Sequence, residues 1–78
     1  MKVFHSDDVE LYLNKRLLKP RFEKSISYIE LGLPTMVDLK LLKPNKKGVW
    51  QFRITKKYRA LAFKQNGNLY VFHISDHQ

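Results

Sequence analysis

Arg53, Arg59, His73 and His77 fall in the last third of a 78-residue chain, among scattered lysines. Together they suit one kind of chemistry. The ribose 2′-hydroxyl of RNA is its own nucleophile, so a protein that holds it in line with the adjoining phosphate needs no metal. It needs a group to take the 2′ proton, a group to protonate the departing 5′ oxygen, and cations for the charge building on phosphorus. Histidine suits proton transfer, and the planar arginine fork matches phosphate oxygens. Arg53, Arg59, His77 and the lysines supply that inventory.

Other chemistries are excluded by residue type or spacing. The chain has no cysteine, so thiolate zinc sites, cysteine nucleophiles and disulfides are ruled out. His73 and His77, four apart in a strand, would stand about 13 Å apart, too far for one metal ion. Gly32, Gly48 and Gly67 are too dispersed for a phosphate-cradling loop. No apolar run approaches the roughly 18–20 residues of a membrane span, and no secretory signal is evident, so a cytoplasmic protein without a membrane partner or cofactor is expected.

Charge is distributed unevenly. Residues 1–39 hold six basic and six acidic side chains, whereas residues 40–78 hold nine basic and only Asp76 as an acid, which puts the whole net charge of +8 in the second half. Such asymmetry implies a polyanionic partner, with nucleic acid first and an acidic protein second.

The elements that must position these groups read as one α+β domain over residues 1–78. Lys2–His5 is a short strand. Ser6-Asp7-Asp8 starts a helix, with Glu10 placed to complete a capping box and Val9, Tyr12, Leu13 and Leu17 on one face to about Leu18. A second helix begins near Pro20 and carries Phe22, Ser25, Ile26 and Ile29 inward before Gly32 and Pro34 end it. Residues 37–42 fit either a strand or a short helical turn. Residues 48–55 alternate, with Trp50, Phe52 and Ile54 on one face and Val49, Gln51, Arg53 and Thr55 on the other. Residues 58–65 follow a tight turn, and Asn66-Gly67 marks a hairpin into residues 69–75. In that last strand Tyr70, Phe72 and Ile74 share one parity, and Val71 and His73 the other. Two helices on one face of an antiparallel sheet result, in the order β-α-α-β-β-β, with the other sheet face left open for Arg53, His73 and the lysines.

Most single residues also have a plain structural role open to them. Lys56-Lys57 suits a solvated turn, His5 a satisfied strand position, Trp50 the core and Tyr58 cross-strand packing. Arg59 shares parity with Leu61 and Phe63, which suits structural pairing as well as function, whereas Arg53 lies away from the aromatic face.

The stretch Gly48-Val49-Trp50-Gln51-Phe52-Arg53-Ile54-Thr55-Lys56-Lys57-Tyr58-Arg59 resembles the core of the RelE/ParE toxin superfamily. The likeness is to the YoeB and HigB branches, with their Gly-x-Trp-x-x-Arg-Ile pattern and a second arginine after an aromatic or histidine. Leu41-Leu42-Lys43 resembles the short strand before that motif, and Ser75-Asp76-His77-Gln78 the tail in which those branches place a histidine. The order of elements agrees over essentially the whole chain.

This resemblance implies a RelE-like fold and a ribosome-dependent mRNA endonuclease, the toxin of a type II toxin–antitoxin pair. It would cut mRNA in the ribosomal A site and be silenced by an acidic antitoxin laid on the basic half. Arg53 would contact the scissile phosphate and His77 would transfer a proton. Lys40 or Lys43 would serve as base or phosphate contact, and Lys46, Lys47, Lys56, Lys57 and Arg59 would bind RNA. Lys40 stands where YoeB-like toxins place a carboxylate, and Gln78 where their tail ends in an aromatic. The same fold also serves ParE-like inhibitors of DNA gyrase and could serve RNA binding without catalysis.

Overall fold

A computed structural model describes residues 1–42 and 48–76. The first strand, β1 (Val3–His5), runs into Ser6, which caps helix α1 (Asp7–Lys15) by accepting a 3.2 Å hydrogen bond from the Val9 amide. The expected capping box is not completed. Glu10 lies one position past the box site, and its carboxylate instead holds the His5 ring at 2.5 Å and the Lys19 ammonium at 2.7 Å. Helix α1 ends three residues before the expected Leu18. Leu17 adopts φ +57°, and the Leu18 amide donates back to the Leu13 carbonyl at 2.8 Å, a left-handed helix stop usually made by glycine.

Helix α2 (Lys19–Glu30) has Pro20 in its first turn and buries Phe22, Ser25 and Ile29. Both readings of residues 37–42 are partly right: a 3-10 turn covers Pro34–Val37, Asp38 turns left-handed at φ +54°, and strand β2 (Lys40–Leu41) follows. Strands β3 (Val49–Arg53), β4 (Tyr58–Gln65) and β5 (Asn68–Asp76) form the expected antiparallel meander.

The sheet is nonetheless mixed rather than wholly antiparallel. Its order is β1-β5-β4-β3-β2, with β1 parallel to β5 at the edge. The chain between the two strands, the α1–α2 hairpin and the three strands after it, is the long connection that parallel pairing needs. Both helices cover one sheet face, and the core there is built on Phe22, Phe52, Leu13, Leu69 and Val71. Trp50 packs partly buried against this core, while Arg53 is exposed, as the alternation of β3 predicts.

The parity expected for β5 is overturned. Leu61 pairs with His73 but Ala62 pairs with Val71, so Phe72 is an extra, bulged residue. Val71 and Ile74 are therefore both buried, whereas Tyr70, Phe72 and His73 are exposed. Simple alternation misassigns this strand because one inserted residue exchanges the faces of everything after it.

Candidate cationic site around Arg53

Arg53 ends β3, where Ser25 anchors it to helix α2. The Ser25 hydroxyl, 5% exposed, donates to the Arg53 carbonyl at 2.9 Å. This bond satisfies a strand-end carbonyl and fixes the point from which the side chain leaves the sheet. The guanidinium extends over the sheet edge toward the Met36 carbonyl, 3.5 Å from Nη2, a long and weak contact. It leaves most of the donor fork free.

The side chain borders a cleft of about 440 Å³ lined by Arg21, Lys24, Ser25, Tyr28, Arg53 and the Pro34–Val37 turn. Three cations and two hydroxyls meet there, and among the described residues no carboxylate joins them. None of the three cations is ion-paired among the described residues. Uncompensated positive charge around a concave surface attracts anions, and a phosphate fits both the arginine forks and the Tyr28 hydroxyl, the Ser25 hydroxyl being engaged by the Arg53 carbonyl.

Arg21 and Lys24 do not stand out in the sequence, because the first half of the chain is neutral in sum. The available signal was spacing. Arg21, Lys24, Ser25 and Tyr28 fall at i, i+3, i+4 and i+7, one helix face adjoining the buried stripe.

Arg59 stands directly opposite Arg53 across β3 and β4. Like charges at such positions destabilise a sheet unless something offsets them. Arg59 is partly engaged, since its Nη1 donates to the Thr55 carbonyl at 2.5 Å and to the Lys56 carbonyl at 3.2 Å. It thereby braces the turn in which the Thr55 hydroxyl accepts from the Lys57 and Tyr58 amides, each at 3.1 Å. Arg59 thus has a structural role and still contributes a charge with no carboxylate partner among the described residues.

The other expected residues separate. Lys40 lies on the same open sheet face, opposite Gln51, and pairs with Asp38 at 3.6 Å. Lys57 sits 3.9 Å from Asp76, and Lys56 is exposed in the turn. Tyr58 packs edge-on against Tyr12, a structural role. Lys43, Lys46, Lys47, His77 and Gln78 lie outside the described residues.

His5 is structural. Its Nε2 meets Glu10, which also accepts from Lys19 and from Asn14, and its ring packs edge-on against Phe22. The Lys19 hydrogen bond, then that of His5, holds the Glu10 carboxyl down at about 2 from its ordinary 4.5. Reciprocally, the Glu10 hydrogen bond raises the Lys19 ammonium. Among the described residues no cluster of three metal-ligating side chains occurs, and no helix is long and apolar enough to cross a membrane. Compared with protein-family models and with curated proteins, the chain finds no match.

Proposed function

We propose that the protein binds RNA through the cationic cleft at Arg53 and cleaves it as a ribosome-dependent mRNA endonuclease, the toxin of a toxin–antitoxin pair acting in the cytoplasm. One observation supports the reading most. Arg53 carries a guanidinium at a strand end, opposite Arg59 and beside Arg21 and Lys24, where among the described residues no carboxylate pairs with it or competes with a phosphate. The resemblance of the Gly48–Arg59 stretch to RelE-like toxins adds the reaction.

In that reaction the 2′ oxygen attacks the adjoining phosphorus and gives its proton to a base. The 5′ oxygen leaves as an alcohol, with a proton from an acid, and a 2′,3′-cyclic phosphate remains. Arg53 would hold the non-bridging oxygens as charge grows on them, a preorganised electrostatic role. His77 would transfer a proton, and Lys40 or Lys43 would be the base or a further phosphate contact. Arg59, with Lys46, Lys47, Lys56 and Lys57, would carry the RNA backbone. No cofactor is called for.

A second reading has its own support. The described lining of the Arg53 cleft contains neither histidine nor carboxylate, which suits a polyanion-binding protein that cuts nothing or a ParE-like contact with gyrase. Inducing the protein separates these readings. Primer extension that reveals new mRNA ends supports the endonuclease, intact mRNA with altered DNA supercoiling supports the gyrase reading, and neither effect supports binding alone.

A further inference from the structure

The open sheet face has a second feature at the end away from Arg53. Phe4, Phe63, Tyr70 and Phe72 are each between 38% and 46% exposed. Phe4 pairs with Tyr70 and Tyr70 with Phe63, so three rings form a row across β1, β5 and β4. The bulge puts Phe72 beside that row. Phe4 and Tyr70 lie 5.3 Å apart at 20°, and Phe63 and Phe72 lie 4.5 Å apart at 18°, two stacked pairs that bound a shallow apolar hollow of about 320 Å³.

Exposed rings gathered in this way mark a contact surface. What surrounds them selects the partner. Arg59, Lys40 and His73 lie on this face with Gln51, Leu61 and Ser75, Arg53 leaves it at the sheet edge, and among the described strand positions no carboxylate points the same way: Asp76 is opposite Tyr58, on the other parity. Phe63 is four residues along β4 from Arg59, about 13 Å, a span of a few nucleotides. Aromatic faces beside a cationic track are the two parts that single-stranded nucleic acid requires: rings stack bases and cations follow the backbone.

We propose that Phe4, Phe63, Tyr70 and Phe72 form a platform on which bases of single-stranded RNA stack, a few nucleotides along the strand from the phosphate held at Arg53. This rests on the RNA-directed reading above and extends it to bases beyond that phosphate. Stacking uses a π-face common to all four bases, so the platform holds RNA with little sequence preference.

The test is a fluorescence-anisotropy titration of a short single-stranded RNA oligonucleotide with 2′-O-methyl riboses, which cannot be cleaved. Phe63→Ala and Tyr70→Ala should each weaken binding by about 5- to 150-fold, the loss per stacked base. The salt slope should not change, because no phosphate contact is removed. Phe63→Leu should lose affinity like Phe63→Ala, and Phe63→Trp should retain it. The Leu and Trp pair keeps the position apolar, so it decides the question even if an alanine variant unfolds. Wild-type affinity in Phe63→Leu would overturn the platform, as would a wild-type dimer that the alanine variants convert to monomers, which marks the face as a self-contact. If the platform variants bind and cleave RNA normally, the platform falls while the endonuclease reading stands. If the wild-type protein binds no RNA, the platform falls, while the ribosome-dependent reading is decided separately by the primer-extension test above.

Discussion

Replacing Arg53 with alanine removes one of the three cleft cations but leaves Arg21 and Lys24 in place. Binding and chemistry should therefore respond differently. An exposed ion contact is worth at most about 1 kcal/mol, so RNA affinity should fall by no more than about fivefold. At ~0.7 per neutralised phosphate on single strands, three contacts give a salt slope of about −2 and two give about −1.4. The chemical step is another matter, because a donor aimed at charge that appears only in the transition state is worth about 10²–10³ in rate. Arg53→Lys keeps the charge without the two-pronged fork, so it should restore the salt slope while recovering only part of the rate. Single-turnover cleavage on programmed ribosomes, at saturating protein, reads the chemical step free of binding. An Arg53→Ala rate within fivefold of wild type under those conditions would refute the phosphate role and favour binding without catalysis.

Three further outcomes check the surrounding structure. Ser25→Ala leaves the Arg53 carbonyl without its 2.9 Å donor, which should cost about 1–3 kcal/mol in urea unfolding and slow cleavage through displacement of Arg53; an unchanged denaturation midpoint would show that the bond is not needed. Leu17→Gly relieves a left-handed leucine that is 86% exposed, and the strain relieved, about 1–2 kcal/mol, exceeds the entropy glycine adds, about 0.5–1, so the melting temperature should rise or hold; a clear fall would contradict the assigned helix stop. The Glu10 carboxyl is depressed to about 2, so the stability it contributes is complete above its ordinary 4.5 and is lost as pH falls from there toward 2. Glu10→Gln should flatten melting temperature against pH across that window, and an unchanged profile would place the acid sensitivity elsewhere.

Much of the fold was legible because the local signals agreed with one another. Ser6 followed by acids, Pro20, Gly32 and Asn66-Gly67 each mark a boundary by backbone chemistry that does not depend on tertiary context. The alternation in residues 49–53 correctly separates buried Phe52 from exposed Arg53. Two features needed the folded chain. The parallel pairing of β1 with β5 joins residues 66 apart, and no local pattern encodes that contact. The Phe72 bulge is invisible to a period-two count, since Tyr70-Val71-Phe72-His73-Ile74 offers an apolar residue to either face.

The site divides along the same line. Arg53 was readable as the residue whose parity opposes the core, but its surroundings were not, because they are assembled across elements. Arg21 and Lys24 come from a helix whose overall charge is unremarkable, and they matter because the buried stripe of Phe22, Ser25 and Ile29 docks that helix on the sheet, with Ser25 on the carbonyl of Arg53. One hydroxyl thus couples the burial of α2 to the geometry of the cleft. The arrangement also accounts for why two arginines can stand opposite each other on β3 and β4. Arg59 gives its donors to the turn carbonyls and holds its own position, while Arg53 swings over the edge into the cleft. No carboxylate among the described residues neutralises either side chain, and a bound phosphate is a group whose charge and oxygen geometry would do so. Binding of RNA should therefore stabilise the fold as well as occupy the site, and added oligonucleotide should raise the melting temperature of the wild type more than that of Arg53→Ala.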